Sequence, residues 1–220
     1  MRHFTHFIFL LFTTFSFFCS SCRKFEQEKI VAKADPYVPT NLYPIERIPK
    51  YFNRVVVLPI YHPDPDSELL DFADKIFLQE LLQERIFEVI SFSNDEMEQT
   101  FGVQRVTSTN SLPNNFLSII EAKTQANGVL FTEILNYSPY RPISVSVRSK
   151  LVDLKSGELM WAVDEIIDSG HASVQLSASI FQNSSQVRAL SQKTSGSALQ
   201  SPRTFLKFAA SSIFSTMPQR

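Results

Sequence analysis

Between Arg54 and Phe92 the chain reads strand, helix, strand, and no other stretch narrows its fold as much. Arg54-Val55-Val56-Val57-Leu58-Pro59 opens it with β-branched and apolar residues on both faces, the composition of a strand covered on both sides. Pro59 must close that strand, because proline brings no N–H to a ladder. Asp64-Pro65 then offers an N-cap and N1 pair. Leu70, Ala73, Phe77 and Leu81 follow at spacings of three and four, so an amphipathic helix is expected from Pro65 to about Arg85. Phe87-Glu88-Val89-Ile90-Ser91-Phe92 is the second apolar run. A strand that returns through a crossover helix pairs parallel with the first, and the remaining elements must layer onto that unit.

Those elements follow in order. Ser93 and Glu96 stand at capping-box spacing and start a short helix that Gly102 ends. Residues 103–114 are polar and aperiodic, a loop. A third helix is expected from Asn115 to Ala126, stopped by Asn127-Gly128, and Val129 to Leu135 is another apolar strand. Ile143 to Leu154 and Glu158 to Ile167 form a hairpin, with Ile143, Val145 and Val147 alternating against Ser144, Ser146 and Arg148. Lys155-Ser156-Gly157 connects its arms, and Trp161 is placed to close one face of the core. Residues 171–182 fit a strand by alternation and a helix by the spacing of Val174, Ala178 and Phe181. The Ser- and Gln-rich residues 183–201 are expected as a mobile loop. Ser201-Pro202 caps a last helix ending near Pro218. The fold class is α/β: a single mixed β-sheet of about five strands with flanking helices, occupying residues 53–218.

The chain ahead of that domain has a different character. Arg2 is followed by an uncharged span from Phe4 to Ser21, dense in Phe, Leu and Ile, that ends in Cys19-Ser20-Ser21-Cys22. This is the layout of a secretory signal peptide, residues 1–21, with small residues before the cleavage point. It resembles a bacterial lipobox, which implies that Cys22 becomes the acylated N-terminus; Cys19 stands where that pattern has Leu. The other reading of the span is an uncleaved membrane anchor. Cys19 and Cys22 are the chain's 2 cysteines, so the body can form no disulfide and no Cys-based metal site. Residues 22–52, with Pro36, Pro39, Pro44 and Pro49, are expected as a lipid-anchored tether.

Charge and motif exclude several functions. The chain holds 21 Lys+Arg against 22 Asp+Glu, and without Arg2 the mature chain has 20 against 22. That balance carries no basic face for nucleic acid. His62 and His171 are the histidines left after the signal, far apart and without a carboxylate at metal-ligand spacing. There is no Gly-rich phosphate loop and no G-x-S-x-G elbow. Asp64, Asp66 and Glu68 are better read as helix-capping charge than as a cation site. No catalytic residue, metal ligand or cofactor is therefore assigned. Tyr137, Tyr140 and Arg141 lie on a Pro-stiffened stretch and belong to the residue types that dominate protein contacts, so they are the candidate partner contact; the other reading is that the tyrosines simply cover the sheet end.

Taken together, the lipobox at Cys22, Arg54–Pro59 ahead of a long helix, the strand after Asn127-Gly128 and the hairpin Leu151–Trp161 resemble the small envelope lipoproteins of the CsgG-like and LpoB-like (penicillin-binding-protein activator) superfamily. That group shares a fold with the N-terminal domain of TolB. The resemblance covers about residues 54–217 and implies a non-enzymatic lipoprotein that binds, scaffolds or activates another envelope protein. The acyl chains would hold it at the outer membrane, facing the periplasm, with the inner membrane as the alternative location. An oligomeric pore or collar subunit of an export system, and hence a homo-oligomer, is the alternative function. It would draw on the alternation of Val174 to Ile180 for a spanning strand, although Gln182 onward supplies no matching return strand.

Overall fold

A computed structural model describes residues 28–43, 47–188, 199 and 201–218. The signal peptide and Cys22 lie outside them. Six strands form one mixed sheet in the order β1-β6-β5-β4-β2-β3. They are β1 (Leu42–Tyr43), β2 (Arg54–Val57), β3 (Glu88–Ser91), β4 (Gly128–Ser138), β5 (Ser144–Asp153) and β6 (Leu159–Asp168). The helices are α1 (Leu70–Glu84), α2 (Asn94–Phe101), α3 (Phe116–Thr124), α4 (Ala172–Arg188) and α5 (Pro202–Phe214). Residues 28–33 are also helical.

The strand–helix–strand unit forms as expected: β2 lies parallel to both β3 and β4, while β4, β5, β6 and β1 run antiparallel. Alternation along the strands divides the core. Val55, Leu130, Ile134, Val147, Leu151 and Trp161 face α1, α4 and α5. Val56, Val129 and Phe131 face α2 and α3 through Met97, Phe116 and Ile120. The Trp161 indole donates to the Thr216 hydroxyl at 3.3 Å, which satisfies its one polar atom inside the core. Phe77 of α1 meets Phe214 of α5 edge-to-face, centroids 5.9 Å apart, and joins the two helices over the sheet.

Local chemistry that depends on a few neighbouring residues comes out as read. The Ser93–Glu96 capping box is complete and Gly102 ends α2 with φ 72°. Gly157 has the same φ of 72° in the β5–β6 turn, where Asp153 accepts the Lys155 and Ser156 amides at 2.8 and 2.9 Å. The Ser201 hydroxyl accepts the Thr204 amide, with Pro202 at the start of α5.

Three expectations need correction. The first long helix begins at Leu70, five residues after Pro65, because Asp64 and Ser67 build turns instead of a helix cap. The Asp64 carboxylate accepts the Asp66 amide at 3.1 Å, and the Ser67 carbonyl receives the Leu70 amide at 3.0 Å. Residues 172–182 are helical, and α4 continues to Arg188, into the stretch expected as a loop. Val174 and Ala178 are buried one turn apart, and Phe181 packs on Phe208 at 5.9 Å. The alternating serines do not require a strand, since Ser179 and Ser184 donate to the carbonyls of Leu176 and Phe181 at 2.7 and 2.8 Å. The stretch considered as a spanning strand is thus not extended in this structure.

The third concerns the tether. Within residues 37–43 and 47–52, Tyr37, Leu42, Ile48 and Phe52 pack against the domain. Ile48 and Phe52 are buried, and β1 pairs with the outer edge of β6. Glu165 clamps the entry: its carboxylate receives the Tyr37 hydroxyl at 3.3 Å, the Asn41 amide at 2.7 Å and the Thr40 amide. Proline fixes φ near the extended region, which suits an edge strand as well as a free spacer. Aperiodic prolines therefore did not distinguish the two.

Candidate interaction surface

The helices leave part of the sheet uncovered. On the antiparallel half, the face opposite α4 and α5 carries Tyr43 of β1, Arg148 and Lys150 of β5, and Ala162, Asp164 and Ile166 of β6. Tyr43 is 53% exposed and Ile166 71%. A shallow depression of about 290 Å³ runs between Asn41, Tyr43, Lys150 and Asp164.

A row of charge crosses this face. The register places Glu133, Arg148 and Asp164 directly opposite one another on β4, β5 and β6. Arg148 donates through Nε to Asp164 Oδ2 at 2.7 Å, and its Nη2 lies 2.7 Å from the same oxygen. Its Nη1 lies 3.7 Å from Glu133 Oε2, close enough for charge attraction but too far for a hydrogen bond. Glu133 is only 1% exposed. Its other oxygen accepts the Ser108 amide and hydroxyl at 2.7 and 2.6 Å, so the loop before α3 folds down onto the end of the row. A buried carboxylate needs such donors together with a cation, because desolvation alone would disfavour its charge.

The candidate contact residues separate. Tyr137 belongs to β4 and pairs with Val145, which turns its ring toward the core, not to solvent. Its hydroxyl is buried without a hydrogen-bond partner; burial raises its pKa, against the lowering effect of the Arg203 charge. Tyr140 and Arg141 sit at the β4–β5 tip, Tyr140 being 81% exposed, ahead of a cis Arg141–Pro142 bond. Strand β4 runs further than its apolar run suggested, to Ser138, past an irregularity at Leu135.

The remaining sequence candidates stay apart. The His62 ring nitrogen Nδ1 accepts the Asp64 amide at 3.1 Å within a turn, and His171 gives its carbonyl to the Gln175 amide at 3.0 Å at the start of α4. Among the described residues no three side chains converge as metal ligands, and no helix is long and apolar enough to cross a membrane. A second polar cluster escaped the sequence entirely. Arg105, from the 103–114 loop, pairs with Asp74 of α1 at 2.8 Å and also donates to the Ile60 carbonyl, while Asp74 accepts the Ile60 amide at 2.7 Å. For the charged row, in contrast, the sequence held one clue: Glu133, a single charge within the apolar run of β4, announces a buried partner but not which one.

No family model matches this chain, and no curated protein does. Among solved structures it is similar to the PelC dodecamer from Paraburkholderia phytofirmans, at 12% identity and a TM-score of 0.46 over 81% of this chain and 96% of that one. It is similar to lipoprotein GNA1162 from Neisseria meningitidis, at 17% identity and a TM-score of 0.40 over 63% and 99%. It is also similar to the LpoB C-terminal domain from Escherichia coli, at 15% identity and a TM-score of 0.38 over 64% and 93%.

Proposed function

We propose that this chain is a non-enzymatic envelope lipoprotein, acylated at Cys22, that works by binding and scaffolding or activating another envelope protein. The observation that carries this is the leader: one positive residue, an uncharged Phe-rich span from Phe4 to Ser21, then Ser20-Ser21-Cys22 ahead of a body with no cysteine. Several acyl chains on one residue anchor stably, each buried methylene adding about 0.8 kcal/mol. The chain between Cys22 and Tyr37, where packing against the domain begins, spans at most on the order of 50 Å at 3.3–3.6 Å per residue. The domain is then held close to the bilayer, where tethering raises its effective concentration toward membrane-borne partners. The exposed tip residues Tyr140 and Arg141, beside the open face with Ile166, suit a partner contact.

Intact-mass spectrometry of the native protein tests the anchor. A mature species beginning at Cys22 and carrying lipid is expected, and Cys22→Ser should leave an unprocessed or lipid-free form. Tyr140→Ala with Arg141→Ala should weaken partner recovery while leaving thermal unfolding unchanged. Turnover of a substrate by the purified protein, abolished by one side-chain change, would overturn the non-enzymatic reading.

A further inference from the structure

The sheet ends in two edge strands, β1 and β3, and β3 is the longer of them. β3 ends the strand order, and its inner side is fully used: the Glu88 and Phe92 amides donate to the Asn53 and Val57 carbonyls at 2.8 and 2.9 Å. In the alternation of a parallel ladder, Ile90 faces β2 as well, and Val89 and Ser91 turn their N–H and C=O groups outward. No partner holds those groups among the described residues. The edge also lacks the usual protections. It has no proline, lysine or bulge, and its one charge, Glu88, is drawn back to Arg54 at 3.0 Å.

A cleft begins where this edge ends. Ser91, the last outward-facing residue, shares its rim with Phe92, Val57, Phe77, Leu78 and Phe214, around a volume of about 210 Å³. Asn94 also lines it, and the Asn94 Oδ1 atom is buried with no hydrogen-bond partner. One helical turn beyond Leu78, Leu82 is 49% exposed and extends the apolar rim along α1.

We propose that the β3 edge and this cleft together form a docking site for an extended peptide segment of a partner protein, added to the sheet as a seventh strand. Main-chain groups of the segment pair with Val89 and Ser91, and an apolar side chain enters the cleft. Four residues are a short edge, so main-chain pairing alone would hold a strand weakly. The cleft supplies the missing apolar contact and selects the side chain, as in other strand-addition sites. A second copy pairing through its own β3 would leave the cleft unfilled, which favours a separate peptide. This site deepens the partner-binding reading and rests on it for its purpose, while its position rests on the edge geometry alone.

The test uses the full-length protein in detergent and a panel of fluorescein-labelled, acetylated heptapeptides alternating Thr with Val. Their central residue is Ala, Val, Leu or Phe. Fluorescence anisotropy should show binding that strengthens from Ala to Leu or Phe, and amide shifts should centre on Val89, Ser91 and Asn94. Ser91→Pro removes an outward N–H and leaves the β2 ladder intact, so affinity should fall about tenfold or more. Should Ser91→Pro fail to fold, Leu82→Glu and peptides N-methylated at alternate amides must give the same loss. No binding by any peptide at millimolar concentration, or binding indifferent to both variants and to N-methylation, overturns the proposal. So does a wild-type dimer that Ser91→Pro converts to monomer, which would assign the edge to a second copy. None of these results bears on lipidation at Cys22 or on the Tyr140–Arg141 tip, which are read by mass and by partner recovery.

Discussion

The ring of Phe52 lies directly against Gly128: a Cβ at residue 128 would stand 2.0 Å from the Phe52 Cζ. Phe52 precedes the first central strand and Gly128 opens β4, so the contact seals the end of the sheet where β2 and β4 begin. Phe87 completes the cluster, 5.9 Å from Phe52 in an edge-to-face arrangement. Gly128 is therefore present for close approach, and its backbone needs no positive φ. Asn127 beside it receives the Asn53 and Arg54 amides at 3.1 and 3.2 Å, which fixes the chain leaving Phe52.

Two substitutions should test that contact. Gly128→Ala must push aside a fully buried ring and is expected to cost about 1–3 kcal/mol. Phe52→Ala should cost about 3–5 kcal/mol through lost burial and an unfilled cavity. Urea unfolding measures both. An unchanged midpoint for Phe52→Ala would show that the segment before Arg54 contributes nothing to the domain.

Arg148 is expected to be more important for the fold than its surface position suggests. Arg148→Met keeps much of the side-chain volume but leaves Glu133 buried with only the Ser108 donors. A loss of about 1.5–3 kcal/mol is expected, the contribution of a hydrogen-bonding or ionic partner to a charged group. The double variant Arg148→Met with Glu133→Gln should recover part of it, and a double-mutant cycle by urea unfolding gives the coupling. Additive losses would mean that the two residues act independently despite standing opposite one another.

Acid should loosen α2 through Glu96. The Ser93 amide, then the Ser93 hydroxyl, hold the Glu96 carboxyl below its ordinary value of 4.5. A carboxyl lowered in the folded state contributes stability that is fully present above its unfolded pKa and lost as pH falls through the folded one. The contribution should be complete at neutral pH and decline below about 4.5. Glu96→Gln should lower stability at pH 7 and remove this part of the acid dependence, as followed by urea midpoints between pH 7 and 3. Identical pH profiles for the two proteins would contradict the capping role.

What could be read from the chain alone depended on residues close together in it. The strand–helix–strand order of 54–92, the Ser93–Glu96 cap, the turn at Gly157 and the Ser201-Pro202 start of α5 each rest on a few neighbours, and each formed as expected. Partners distant in sequence required the tertiary structure. Glu133, Arg148 and Asp164 become a row only once the register of β4, β5 and β6 is set. The same dependence decided Tyr137, which belongs to the core side because a strand residue takes the face its register dictates. Residues 171–182 satisfied both periodicities, and the side available for burial against α5 resolved 172–182 as a helix. Residues 37–43 and 47–52 show no period at all, because single contacts position them: Glu165 holds Tyr37 and Asn41, and Gly128 receives the Phe52 ring.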